Sequence, residues 1–284
     1  MWLLRLFRKP ISNIPNGILQ GPENYFKVKL SEVLPISDNT KIFRFEFPED
    51  TQQLGLPICQ HLLFKAKIST PTHPEGEEIM RKYTPTSNIN EKGFFEVPIK
   101  IYYKNSHPEF PNGGIFTQYL DSMKIGDSLD ISGPSGKIIY VGNGIFKIKQ
   151  EDDEIIKKAK NIGLIAGGTG ITPCFQLLQY CVNQGENANI SLLYANKTEN
   201  DILFRPILDE YVAEQVISSY YVLEKPPEKW NMGNGLVSEE HIRERMPPPD
   251  KETLIFHSGP RAMNIHVRKL LIDMGYLESM IVKF

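Results

Sequence analysis

The chain has 284 residues, 40% of them hydrophobic and 23% charged, with a formal net charge of -2. That length is too great for one small core and suits two domains, and the near balance of charge excludes a general nucleic-acid-binding surface. Its three cysteines, Cys59, Cys174 and Cys181, are odd in number and form no Cys-x-x-Cys pair. This argues against a disulfide framework or a zinc site and for a reducing compartment.

The chain opens with Met1-Trp2-Leu3-Leu4-Arg5-Leu6-Phe7-Arg8-Lys9-Pro10, an apolar and basic stretch with no acid before Glu23. An interfacial anchor, a targeting segment and a plain tail all read this way, and no apolar run approaches the ~20 residues that span a bilayer. Residues 1–22 are therefore expected as a tail or anchor. From residue 23 to 146 the pattern is that of strands. Tyr25–Val33 and Lys41–Phe47 alternate apolar and polar residues, and His61–Ile68 and Phe94–Tyr103 are rich in β-branched and aromatic ones. A turn is expected at Thr70–Gly76 and a helix from about Phe116 to Met123. Many short strands with Gly/Pro punctuation suggest an antiparallel barrel or sandwich.

Residues 147–160 are a charged run, expected as a solvated linker. From residue 161 to 284 the period changes. Strands are expected at Ile162–Ala166, Ile190–Ala195, Ser219–Leu223 and Thr253–His257, and helices at Pro173–Val182, Asp201–Glu214, Ser238–Arg245 and Pro260–Met274. Strand–helix alternation implies a parallel sheet with helices on both faces, which binds ligands at the carboxyl ends of its strands.

Three segments carry chemistry. Gly167-Gly168-Thr169-Gly170-Ile171-Thr172-Pro173 follows an apolar strand and opens a helix. Glycines let the backbone approach a pyrophosphate, and the helix start aims N–H groups at it. Thr172 is expected to cap that helix and Pro173 to take its first position. Pro173 stands where the usual dinucleotide fingerprint has its third glycine, so alone the segment also reads as a tight turn. Arg81-Lys82-Tyr83-Thr84-Pro85-Thr86-Ser87 puts a guanidinium, a phenol and hydroxyls on one short segment, suited to a phosphate and a planar ring; alone it is equally a strand with a Pro-containing end. His107-Pro108-Glu109-Phe110-Pro111-Asn112-Gly113-Gly114 runs into Ile115-Phe116-Thr117, a second glycine-preceded helix start, which alone is also an ordinary loop and cap.

Taken in order, and with Asn196–Leu203, Asn234-Gly235-Leu236-Val237 and Ser258-Gly259-Pro260, these segments resemble the NADH–cytochrome b5 reductases of the ferredoxin-NADP reductase-like superfamily, from about Tyr25 to Phe284. The resemblance implies an N-terminal antiparallel β-barrel domain for FAD and a C-terminal parallel-sheet, Rossmann-like domain for NADH. It implies FAD contacts from Arg81, Tyr83, Thr84 and Ser87, from Ile99, Lys100 and Tyr102, and from Gly114, Ile115, Phe116 and Thr117. It places Gly168, Thr169, Gly170, Gly259, Pro260 and Met263 at the NADH site, with Glu224 at the adenosine ribose, where a carboxylate favours NADH over NADPH. Lys100, Thr172 and Ser258 are expected as the residues nearest the chemistry, as positioning groups.

Two departures from the family stand out: Ser258 replaces its usual Cys, and Lys82 replaces a frequent Pro. His257 is also unusual, a strand-end residue whose titration would give the activity a pH dependence. The implied activity is hydride transfer from NADH to FAD and single-electron delivery to cytochrome b5 or a similar haem protein. The implied partner is acidic and docks on basic residues such as Lys41, Lys65, Lys67, Lys92 and Lys104. A monomer on the cytoplasmic side is expected, soluble or peripherally attached to endoplasmic reticulum or mitochondrial outer membrane. Alternatives are the same fold serving a ferredoxin or quinone, or a non-catalytic flavin- or nucleotide-binding regulatory module.

Overall fold

Alternating apolar and polar residues in the first half become six paired strands and one helix: β1 (Gly21–Ser37), β2 (Thr40–Glu46), β3 (His61–Thr70), β4 (His73–Tyr83), β5 (Phe94–Lys100), α1 (Ile115–Ser122) and β6 (Ser128–Ser135). The computed structural model describes residues 17–106, 110–150 and 153–284. It divides into two units, one ending at Gly136 and the other running from Lys137 to Phe284.

In the N-terminal unit the strands pair antiparallel in the order β4-β3-β6-β1-β2-β5. Every second residue points inward, so Phe43 and Phe45, Phe64 and Ala66, and Phe95 and Val97 are all buried. Phe64 on β3 and Phe95 on β5 are four steps apart in that order, roughly 19 Å on a flat sheet, yet their ring centroids lie 6.3 Å apart. The sheet therefore curls around a single core. Helix α1 adds Phe116 and Leu120, one turn apart, to the same core.

Two boundaries of this unit differ from expectation. Residues 17–22, expected within the tail, belong to the folded unit: the Ile18 amide donates to the Gln53 carbonyl at 3.0 Å, and Ile18 and Leu19 pack on the core. Residues 1–16 of that tail lie outside the described residues. The turn expected over Thr70–Gly76 shrinks to its first residues, because β4 starts at His73. As the outermost strand it needs no apolar face, and most of its residues are exposed.

The C-terminal unit opens with β7 (Ile138–Gly142), β8 (Ile145–Gln150) and β9 (Asp153–Lys158), a three-stranded antiparallel sheet. The expected linker at 147–160 is thus corrected: all its described residues but Ala159 and Lys160 form parts of two paired strands, with Lys147 opposite Ile156 and Ile148 opposite Ile155. Charge misled because β9 is an edge strand with one face in water. The small sheet is tied down by Glu186, which accepts from the Tyr140 hydroxyl at 2.8 Å and the Asn143 amide at 2.7 Å. Phe146 packs on Phe256 at 4.7 Å between ring centroids.

Then follow β10 (Asn161–Gly167), α2 (Ile171–Gln184), β11 (Asn189–Asn196), α3 (Arg205–Ala213), β12 (Ser218–Leu223), β13 (Gly233–Asn234), α4 (Glu239–Arg245), β14 (Thr253–Ser258), α5 (Arg261–Asp273) and β15 (Ile281–Lys283). These strands form a fully parallel sheet ordered β13-β12-β11-β10-β14-β15. Ile165, Leu193, Val222 and Ile255 face α4 and α5 in one core cluster. The adjacent Tyr221 points the opposite way and donates to Asp209 of α3 at 2.7 Å, so helices cover both faces. Helix α2 ends on Gly185 in the left-handed region, with Glu186 N bonded to Cys181 O and Gly185 N to Val182 O, a Schellman arrangement. Helix α3 starts four residues later than expected. Thr198 and Asp201 cap a separate short turn over Glu199–Asp201, and Phe204 adopts φ +61 before the helix proper.

Candidate functional site

Each unit carries one glycine-built helix start. In the N-terminal unit, Gly113 has φ +65, and a Cβ there would lie 2.3 Å from the Tyr102 carbonyl oxygen. Gly114 caps α1 without any side-chain cap, leaving first-turn amides at Ile115, Phe116 and Thr117 for an anion. The Gly114 amide donates to Tyr102 O at 2.8 Å, and Thr117 Oγ1 accepts from Tyr102 N at 3.2 Å. The helix start is thereby fastened to the chain leaving β5. Tyr83 reaches the same place from β4, its ring 6.1 Å from that of Phe116. Burial holds its phenol neutral, against the opposing pull of Arg81. Arg81 and Tyr102 are exposed beside it, the Arg81 guanidinium donating to Met80 O at 2.7 Å. Phosphate donors, two phenol rings and a cation thus converge, and this set fits an FAD.

Other expected contacts are arranged differently. Ser87 Oγ accepts from the Glu96 amide at 3.1 Å, so it serves the edge of β5. Ile99 is 1% exposed and its side chain belongs to the core, leaving only its backbone to offer a ligand. Thr84 and Lys100 are half-buried on the segments leaving β4 and ending β5. His107, Pro108 and Glu109 of the loop motif lie outside the described residues.

In the C-terminal unit the register puts the carboxyl ends of β10, β11, β12 and β14 along one edge: Ala166 pairs with Ser258, Gly167 with Ala195, and Asn196 with Leu223. Neighbours in sequence lie to one side of β10 and the late strand β14 to the other. The Gly168–Gly170 turn and the Ser258–Gly259–Pro260 turn thus meet at a topological switch point, where open α/β sheets bind ligands. They meet closely. A Cβ on Gly170 would sit 2.3 Å from Ser258 O and 2.7 Å from Gly259 N, and one on Gly167 2.2 Å from Met263 Sδ. Glu224 is exposed at the end of β12, its amide bonded to Asn196 O at 3.0 Å.

The expected cap is corrected. Gly168–Gly170 form a short 3-10 turn and α2 starts at Ile171, so Gly170 is the N-cap, Thr172 is its second residue and Pro173 its third. Thr172 Oγ1 donates back to Thr169 O at 3.2 Å. Pro173 still costs nothing, since first-turn amides have no helical partner.

Two contributors escaped sequence reading. Tyr194, fully buried on β11, donates to Gly168 O at 3.0 Å and accepts from Leu203 N at 3.3 Å, bracing the glycine turn. A phenol within an apolar parallel strand is the signal, because it must find a partner. Asn264, on the first turns of α5, bonds His257 Nδ1 at 2.9 Å and Gly259 O at 2.7 Å. Cys59, Cys174 and Cys181 are buried and form no disulfide; burial raises the Cys174 thiol and pushes the Cys181 thiol up to about 12, so neither of these two is a ready nucleophile.

The comparisons with known proteins agree with this geometry. An oxidoreductase FAD-binding domain model matches residues 27–140, and an oxidoreductase NAD-binding domain model matches residues 164–269. The chain is 41% identical over 267 residues to NADH-cytochrome b5 reductase 2 of Gallus gallus, covering 92% of this chain and 86% of that one. It is 38% identical over 283 residues to the Homo sapiens NADH-cytochrome b5 reductase 2, covering 98% of each. The crystal structure of the cytochrome b5 reductase domain of Ulva prolifera nitrate reductase matches with a TM-score of 0.88 at 31% identity, over 95% of this chain and 100% of that one. With its two units matched in turn by an FAD-binding and an NAD-binding domain, and with such identity sustained across almost its whole length, the chain belongs to the NADH-cytochrome b5 reductase family.

Proposed function

We propose that the chain takes a hydride from NADH onto FAD and delivers the electrons singly to cytochrome b5 or a similar haem protein. The observation that carries this reading is the pair of glycine-built helix starts, one in each unit, in a chain of this family. Bound FAD supplies the conversion of one two-electron event into two one-electron deliveries. The protein's part is to hold and orient. Arg81 and the amides of Ile115, Phe116 and Thr117 hold the FAD phosphates; Tyr83 and Tyr102 flank its rings; Thr84, Ser87 and the backbones of Ile99 and Lys100 complete the contacts. Gly168, Thr169 and Gly170 hold the NADH pyrophosphate, with Gly259, Pro260 and Met263 beside them. Glu224 lies three strand steps from Ser258 along the carboxyl edge, roughly 14 Å, a span suited to an extended dinucleotide with its adenosine ribose at Glu224.

Hydride transfer needs no acid or base, so Lys100, Thr172 and Ser258 act as positioning groups. Ser258 adds a firmer hydrogen-bond partner and less polarizability than a thiol. Ser258→Cys is therefore expected to speed pre-steady-state flavin reduction, and an unchanged rate refutes that role.

Of the basic residues considered for docking, Lys41 is paired with Asp121 at 2.5 Å and Lys65 with Glu78 at 3.4 Å. Lys67, Lys92 and Lys104 are exposed and are the better candidates to meet an acidic partner. No helix among the described residues is long and apolar enough to cross a membrane, and any peripheral attachment is assigned to residues 1–16.

The test is an anaerobic titration of the purified yellow protein with NADH and then NADPH, followed by mixing with cytochrome b5. Stoichiometric bleaching by NADH, poor bleaching by NADPH and fast haem reduction are expected. A flavin that NADH leaves oxidised overturns the hydride reading in favour of a regulatory binding module. Bleaching without haem reduction moves the acceptor to a ferredoxin or quinone.

A further inference from the structure

We propose that Asn264 is a positioning residue for the nicotinamide-nucleotide site, and that His257 sets its orientation. The proposal rests on the NADH reading above. A carbonyl oxygen only accepts, so the Asn264 group bonded to Gly259 O at 2.7 Å is its amide nitrogen. That assignment turns Asn264 Oδ1 toward His257 Nδ1, 2.9 Å away. An amide oxygen also only accepts, so His257 Nδ1 carries a proton. The two side chains are 2% and 7% exposed, which shields both bonds from water.

Burial lowers the His257 pKa, the Asn264 bond opposes this, and the charges of Lys283 on β15 and Arg268 on α5 lower it further, so the neutral Nδ1–H form is held. Protonation would fill Nε2 and leave the Nδ1 donor in place. The relay from His257 to Asn264 to Gly259 is accordingly a fixed clamp, insensitive to acid, in contrast with the pH-dependent role expected for His257 from sequence. What it clamps is the turn whose backbone lies against Gly167 and Gly170, with Gly259 N 2.7 Å from the place a Gly170 Cβ would occupy. Holding the Gly259 carbonyl keeps the β14 turn against the β10 turn that carries the pyrophosphate amides.

The experiment uses FAD-loaded full-length protein. Asn264→Leu is expected to raise both the NAD+ Kd, by equilibrium titration, and the NADH KM about tenfold, the effect of one buried hydrogen bond. Its kcat should fall less than about threefold, since the chemical step itself does not use this bond. His257→Asn keeps a donor near the Nδ1 position and should restore NAD+ affinity to within about twofold, whereas His257→Leu should behave like Asn264→Leu. Imidazole 15N NMR should place the His257 proton on Nδ1. An NAD+ Kd that Asn264→Leu leaves unchanged, equal damage from both His257 variants, or a proton on Nε2 alone each overturns the clamp. Wild-type protein that binds NAD+ but is not bleached by NADH overturns the hydride reading, while the clamp is still decided by NAD+ affinity and the tautomer.

Discussion

The two units meet similar demands at their helix starts with different economies of glycine. In the N-terminal unit a single residue answers both demands: Gly113 has φ +65 and also lies where a Cβ would strike Tyr102 O at 2.3 Å. In the C-terminal unit the demands are divided. Gly168 takes φ +52 with nothing within 4 Å, whereas Gly170 has φ -62 and is needed only for closeness to Ser258 and Gly259. A buried histidine in one unit and a half-buried one in the other differ as well. His257 is bonded to Asn264, while His61 Nε2 has no hydrogen-bond partner among the described residues. Shape and proximity are thus separable requirements in one unit and fused in the other, and substitutions can tell them apart.

The largest effects are expected at Gly170→Ala and Gly113→Ala. The Gly170→Ala methyl would meet backbone atoms of β14, which cannot rotate away, so about 3 kcal/mol of stability should be lost, with NAD+ binding abolished in calorimetry. Gly113→Ala meets backbone atoms just as closely and adds left-handed strain, so it should cost at least as much stability, about 3 kcal/mol or more, but should appear as a lowered FAD content after purification, not as abolished NAD+ binding. His61 gives a pH-dependent term. Burial, reinforced by the Lys82 charge, pushes its pKa down to about 4 from an ordinary 6.5. The unfolded chain therefore binds the extra proton, and stability present above pH 6.5 is lost as pH falls toward 4. Between pH 7 and 4.5 urea unfolding should show a loss of roughly 1–2 kcal/mol after allowance for partial exposure, and the loss should shrink in His61→Leu. Gly168→Asn is expected to be mildest, below about 1 kcal/mol, because Asn tolerates the left-handed region and meets open space. A Gly168→Asn protein as damaged as Gly170→Ala would end the distinction between shape and proximity.

How much of this was legible depended on whether one physical cause acted alone. Where burial and period agreed, as at Ser238–Arg245 with its Ser238 cap or at Pro260–Met274, the helices α4 and α5 fall within a residue of expectation. Edge strands were missed or shortened, because β4 and β9 bury little and their polar residues imitate turns and linkers. The order of motifs identified both glycine turns. Sequence alone could not reveal that Gly168–Gly170 form a separate turn that shifts the start of α2, because the shift follows from contact with a strand about 90 residues away, the end of β14. Asn264 was invisible for the same reason: its role exists only once α5 is folded back on the end of β14.

The contact between Gly170 and position 258 has an evolutionary corollary. It is made by the Ser258 carbonyl and not by its side chain. Genetic drift at codon 258 among small residues is therefore nearly invisible to folding and is filtered only through turnover, whereas any change at codon 170 is filtered first through the integrity of the domain. Lineages of this enzyme should accordingly be free to retune their hydride step at one codon while the codon it packs against stays frozen.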